Sequence, residues 1–213
     1  MKTSGLLFSI IAIFSSCAPL FSDMQSARMV GRKQFEVTPG YTFAGYSGEG
    51  ISEGISNFAG LQMAYGLSDN VDLRFRFEHT WLARQLREEI GGAGDENLVA
   101  FGPKINLARD RSALFLPISV GGGFVGMQPT FLFTIPVVPG RIDFNPSVKH
   151  LINICESCWQ PLVALNAGFA FSSDITKWAI RPEYAVLYNL NAPGHYSNFS
   201  IGLSLNLTTP GRK

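Results

Sequence analysis

Apolar and polar residues alternate with a period of two along most of the chain, and the clearest run is residues 71–81, VDLRFRFEHTW. Val71, Leu73, Phe75, Phe77, His79 and Trp81 share one parity; Asp72, Arg74, Arg76, Glu78 and Thr80 share the other. Successive side chains of a strand point to opposite faces, so this segment has one aromatic, apolar face and one charged face. Ten segments of this kind can be drawn, at 35–43, 55–67, 71–82, 98–107, 113–124, 130–135, 142–154, 161–171, 178–188 and 198–207. A helical period is absent after the N-terminal stretch, apart from a short candidate at 81–90.

The parity of charge decides which face meets which medium. Glu36, Asp72, Arg74, Arg76, Glu78, Lys104, Asp143, Lys149, Arg181 and Glu183 all lie opposite the apolar set of their segment, five acidic and five basic. A soluble strand buries its apolar face, whereas an outer-membrane strand turns it to lipid and its polar face to the lumen. A charge on the lipid side near the midplane costs about 2–4 kcal/mol. Charges confined to one parity and equal in sign count therefore predict a lumen filled with ion pairs.

Connections alternate between short polar turns (68–70, 108–111, 172–177) and more variable loops (44–53, 83–96, 190–195), as in barrels with periplasmic turns and external loops. The pattern predicts an all-β fold, an antiparallel up-and-down transmembrane β-barrel of ten strands over residues 35–207, with both termini periplasmic. Pro39, Pro103, Pro117, Pro146, Pro161 and Pro182 fall inside proposed strands. Proline cannot donate to a ladder and a closed barrel has no edge to hide it, so the alternative is eight strands with shifted boundaries.

The first residues read as an export signal. Lys2 precedes an apolar run, Leu6–Phe14, too short to span a bilayer. The signal is placed at 1–16, a periplasmic tether at 17–34 and a C-terminal tail at 208–213. The end of the signal, Ile13-Phe14-Ser15-Ser16-Cys17, resembles a bacterial lipobox, with Phe14 where leucine is usual. That resemblance implies lipidation of Cys17; the other reading is cleavage nearby or after Ala27. The remaining cysteines, Cys155 and Cys158, form a CESC loop that export favours as a disulfide over a redox or zinc site.

Composition then removes whole classes. The net charge is +1, which leaves no case for nucleic acid. No apolar run after the N-terminus is long enough for a membrane helix, so any span must be a closed sheet. No metal or cofactor is expected.

The stretches Gln25–Arg28, Phe35–Pro39 (FEVTP) and Tyr65–Leu73 (YGLSDNVDL), with Pro129-Thr130, Thr134–Pro136 and Arg181–Glu183, resemble a family of uncharacterised outer-membrane barrel proteins of Gram-negative bacteria. The resemblance implies the fold and the compartment, with lipid and lipopolysaccharide as surroundings, and carries no assigned activity.

Chemistry is sparse. His195-Tyr196-Ser197-Asn198 is similar to the His-x-Ser-Asn run of lipid A 3-O-deacylases, where histidine activates serine, but no acid follows Glu183 to orient the histidine. His79 and His150 share the lipid-facing parity near the interface. Asp72, Arg74, Arg76 and Glu78 line either a narrow conduit or a packed salt-bridge network. The role expected is structural or surface-interacting, through loops 44–54, 83–96 and 189–196, with Arg84–Glu89 as a charged patch. A small-solute channel is the alternative, and a lipid A hydrolase using His195 and Ser197 the third.

Overall fold

The computed structural model describes residues 22–48, 51–82, 96–121, 124–153, 162–191 and 194–207. Four long strands open the sheet: β1 (Phe35–Gly48), β2 (Ile51–Gly66), β3 (Val71–Leu82) and β4 (Glu96–Ala108). The fifth barrel strand is built from β5 (Ser112–Phe115) and β6 (Ile118–Gly121), and the sixth from β7 (Phe124–Met127), β8 (Thr130–Phe133) and β9 (Ile135–Val138). Then come β10 (Ile142–Asn153), β11 (Leu162–Phe171), β12 (Trp178–Asn189) and β13 (His195–Leu207). Each pairs antiparallel with its neighbours, and β13 returns to β1 from Phe35↔Leu207 to Ser47↔His195. The sheet is therefore a closed antiparallel barrel of ten strands.

The prolines do not lower the count, because four of them interrupt only one of the two ladders that flank them. Pro39, Pro103, Pro146 and Pro182 stand opposite Leu61, Leu73, Ala167 and Ile201, while the pairing on their other side skips a step. At Pro117 and Pro129 the strands break, yet the carbonyls still stitch them together. Leu116 N–H donates to the Pro103 carbonyl at 3.0 Å, Gln128 N–H to that of Pro117 at 3.1 Å, and His150 N–H to that of Pro129 at 3.0 Å. Pro103, Pro117 and Pro129 thus form a diagonal seam across neighbouring strands, with carbonyl acceptors used and donors missing. Pro161 lies outside the described residues.

One end of the barrel carries tight turns at 67–70, 109–111, 139–141 and 172–177. In the last, bonds from the Thr176 hydroxyl and the Lys177 ammonium hold the exposed Asp174 carboxyl below its ordinary range. At the loop end the first hairpin is longer than its polar composition predicted. β1 and β2 stay paired up to Gly48↔Ile51, past a register shift at Ala44/Gly45, so residues 44–48 and 51–54 are strand, not loop. Likewise Asn189, His195 and Tyr196 belong to strands. Cys17, Cys155, Cys158, Arg84–Glu89 and the tail 208–213 lie outside the described residues.

Face assignment follows parity. Phe101, Phe131, Leu165, Phe199, Ile201 and Leu203 point outward and are exposed. Aromatic residues rim this belt at both ends: Tyr41, Phe43, Trp81 and Tyr188 beside the loops, and Tyr65, Phe171 and Trp178 beside the turns. The opposite parity is buried inside the cylinder.

Candidate functional site: the lumen and the segment that fills it

All ten charges of the inward parity are buried, with Asp72, Lys104 and Asp143 at 0% exposure. Isolated ions cannot be held there, and the wall pairs most of them itself. Arg74 bridges Glu36 (3.3 Å) and Asp72 (3.5 Å), Lys104 meets Asp72 (3.4 Å), Arg76 meets Glu78 (3.3 Å) and Arg181 approaches Glu36 (3.9 Å). Hydroxyl pairs fill between them, Thr38 with Ser204 and Thr42 with Ser200, each at 2.8 Å.

Asp143, Lys149 and Glu183 take their main partners from elsewhere. Residues 22–30, part of the stretch 17–34 expected as a periplasmic tether, instead run inside the barrel. Ser22 to Ala27 and Val30 are buried. The segment turns at Gly31–Lys33, where Lys33 N–H donates to the Gly66 carbonyl (2.8 Å), and so enters at the turn end beside the start of β1. From there it climbs, with Val30 beside Asp72 near the start of β3 and Ser22 beside Glu78 further up the same strand.

This segment has no strand partner, so its backbone groups would be unsatisfied without the wall side chains. Those side chains supply the missing bonds. Glu183 accepts the N–H groups of Asp23 (2.6 Å) and Met24 (2.8 Å), one on each carboxylate oxygen. Thr134 Oγ1 accepts from Ala27 N–H at 2.8 Å, and Asp72 accepts from Val30 N–H at 3.1 Å. The Lys104 ammonium donates to the carbonyls of Ser26 and Arg28.

Its charged side chains complete the wall's account. Asp23 pairs with Lys149 at 2.9 Å and Arg76 at 3.7 Å, and accepts bonds from Ser147 and Asn166. Arg28 forms a two-pronged bond to Asp143, 2.7 and 3.0 Å. One acid and one base are added, so the interior stays balanced.

Shape matches as well. Gly40 and Gly202 face each other across β1 and β13, and a Cβ at either would fall 2.4–2.9 Å from the Met24 side chain. Glycine on both sides makes the socket for Met24. At Gly66 a Cβ would strike the Gly31 carbonyl at 1.8 Å, so only glycine lets the entry turn pack there. Ala27 fits a patch of Ala113, Phe115 and Leu132. Beside the segment, the crevice between Gln25, Asn145, Arg181 and Glu183 is too tight to admit a water molecule. Towards the loops the inner face turns apolar, with Phe58, Leu151, Leu162 and Leu187 packed beside Tyr196.

The socket yields a test. Gly202→Phe should force Met24 out and cost about 1–3 kcal/mol, as overpacked cores do. Gly202→Ala should cost much less, because the flexible thioether can yield. Urea titration of the detergent-folded barrel measures both, and equal midpoints for the two variants would contradict the socket.

The structure does not assemble the sequence-level catalytic candidates. His195 lies on the outward parity and touches the Tyr188 ring, 5.7 Å between centroids. Ser197 shares that parity, no hydrogen bond joins the two, and no carboxylate orients His195 among the described residues. His79 is also outward, bonded to Asn97 at 2.9 Å and edge-on to Trp81; His150 is exposed. Asp72, Arg74, Arg76 and Glu78 form a packed network under the segment instead of lining a conduit. Missed from sequence were Asp23, Arg28 and Met24; the only hint was an acid, a base and a methionine in a stretch otherwise read as linker. Among the described residues no cluster of acidic, histidine or cysteine side chains could hold a metal ion.

No family model matches the chain, and no curated protein matches its sequence. Among solved structures, it is similar to the attachment invasion locus protein Ail of Yersinia pestis (TM-score 0.41, 12% identity, 83% of this chain and 99% of that one). It is also similar to an outer membrane channel from Pseudomonas putida F1 (TM-score 0.49, 7% identity, 87% and 100%). A third is the translocator domain of autotransporter NalP from Neisseria meningitidis (TM-score 0.44, 7% identity, 82% and 88%). The likeness to all three is one of architecture, and no activity is taken from it.

Proposed function

We propose that this chain is a bacterial outer-membrane barrel whose lumen is sealed by its own N-terminal segment, and that its role is structural or surface-interacting. The observation that carries this reading is the segment of residues 22–30 lodged among the ten wall charges. An open small-solute channel is disfavoured because that segment and its hydrogen bonds occupy the bore. A lipid A hydrolase is disfavoured because His195 and Ser197 are not joined to each other or to an acid.

Membrane location is supported by the outward face. Exposed Phe, Leu, Ile and Val encircle the barrel, far more contiguous apolar surface than a soluble monomer carries. The aromatic rims at both ends fit the two interfaces, and the turn end is assigned to the periplasm. External contacts then fall to the connections at the opposite end of the barrel.

Two measurements check this. Full-length protein in planar bilayers should give no discrete current steps. Cysteine at position 75 should react with a lipid-borne probe and cysteine at 74 with neither a lipid-borne nor a bulky aqueous one. Preferential lipid labelling at 74 would overturn the assignment of faces.

A further inference from the structure

We infer that the lumen wall is a peptide-recognition site that reads the segment DMQSARMV (23–30) by sequence, and that covalent connection to β1 is not needed for occupancy. This rests on the sealed-barrel reading above. Four kinds of contact are arranged along the segment. Lys149, Ser147 and Asn166 converge on the Asp23 carboxylate. The Gly40–Gly202 gap receives Met24, and Ala113, Phe115 and Leu132 pack around the fully buried Ala27. Asp143 takes the Arg28 guanidinium through two parallel bonds. Between these points Glu183, Thr134, Lys104 and Asp72 hold backbone groups that any peptide would offer.

The pattern recognised is therefore acid–methionine–two residues–alanine–arginine, with the backbone left-handed at Met24 (φ 44°) and bent at Ala27–Arg28. No backbone ladder ties the segment to the wall, so it is held as a ligand is held, by side chains of the receptor. The ligand class is a short peptide of this sequence, and the resident copy is the chain's own.

The test keeps the barrel intact while freeing the peptide. A protease site inserted at the exposed Arg32–Lys33 turn of the refolded full-length protein is cleaved, and the barrel is passed through gel filtration in detergent. The segment should co-elute with the barrel by mass spectrometry. A fluorescent synthetic peptide of residues 22–33 should then exchange into the site with one-to-one stoichiometry. Unlabelled peptides carrying Asp23→Asn or Arg28→Gln should compete about tenfold more weakly, the loss expected for a buried charge-assisted bond. A scrambled peptide should not compete. A barrel lacking residues 22–30, if it refolds, should bind in the same order; if it does not, the cleaved protein decides alone.

Loss of the cleaved segment on filtration, no entry of the labelled peptide, or equal competition by the scrambled sequence overturns the inference. Heat-modifiable gel migration is followed in parallel. A barrel that keeps its shift while failing these tests refutes peptide recognition only; one that never shows the shift refutes the barrel reading itself.

Discussion

Asp23→Ala should lower the unfolding free energy of the barrel by about 3–5 kcal/mol, the usual loss when one member of a buried ion pair is removed. The reason is what stays behind. Lys149, 1% exposed, loses its 2.9 Å partner, and Ser147 and Asn166 lose the oxygen they both bond. Arg76 suffers less, because Glu78 still holds it at 3.3 Å. Lys149→Met should cost a similar amount, since it takes the nearer of the two cations from Asp23 and leaves only Arg76 at 3.7 Å. Combining Asp23→Leu with Lys149→Met removes both charges and should recover most of the loss, giving a strong favourable coupling in a double-mutant cycle. Urea unfolding in detergent micelles, followed by tryptophan fluorescence, reads all of these. An Asp23→Ala midpoint within about 0.5 kcal/mol of the parent would mean that the segment does not sit where Lys149 can feel it.

Deleting residues 22–30 should turn an electrically silent barrel into one that passes ions. The segment with its side chains is wider than a small ion, and removing it exposes a wall that remains largely self-paired through Arg74, Glu36, Asp72, Lys104, Arg76 and Glu78. Water would enter to solvate Asp143, Lys149 and Glu183, which lose their contacts to Arg28, Asp23 and the segment's backbone. With five acids and five bases on the wall, selectivity between cations and anions should be weak. The apolar cluster around Phe58, Leu151 and Leu187 should keep the steps small by resisting wetting. Current steps in planar bilayers measure this directly. Silence in a deletion variant that still shows heat-modifiable migration would mean that wall side chains collapse into the vacated space.

The fold was legible because a barrel strand advertises itself locally. In residues 71–81 every second residue had to satisfy lipid and every other one a charged interior, so parity survived even where boundaries did not. The same parity runs unbroken through Leu114, Leu116, Ile118 and Val120, although Pro117 splits that strand in two. The prolines mislead because a ladder's tolerance of them depends on which of two flanking strands loses the bond. Residues 44–53 were read as a loop on their glycine, serine and glutamate content. Pairing across β1 and β2 overrode that propensity.

The occupied lumen was not legible, and the reason is physical. Residues 22–33 have no period of their own, because they pair with no strand; each bond they make reaches a wall residue at least 42 positions away for the contacts to Asp72, Asp143 and Glu183. The wall gave no warning either. Its ten charges already cancel, so no surplus pointed to a missing Asp23 or Arg28. Gly40, Gly66 and Gly202 looked like ordinary small residues of a crowded barrel until the shape lying against them was known.

The diagonal of prolines carries a mechanical consequence. Ala113, Phe115 and Leu132, which cradle Ala27, belong to the two strands that Pro117 and Pro129 interrupt. Missing donors leave that sector with fewer cross-strand bonds than the β2–β3 ladder, which runs unbroken from Ser56↔Leu82 to Gly66↔Asp72. Ala27, near the middle of the enclosed segment, thus rests on a stretch of wall that is stitched together more sparsely than its surroundings.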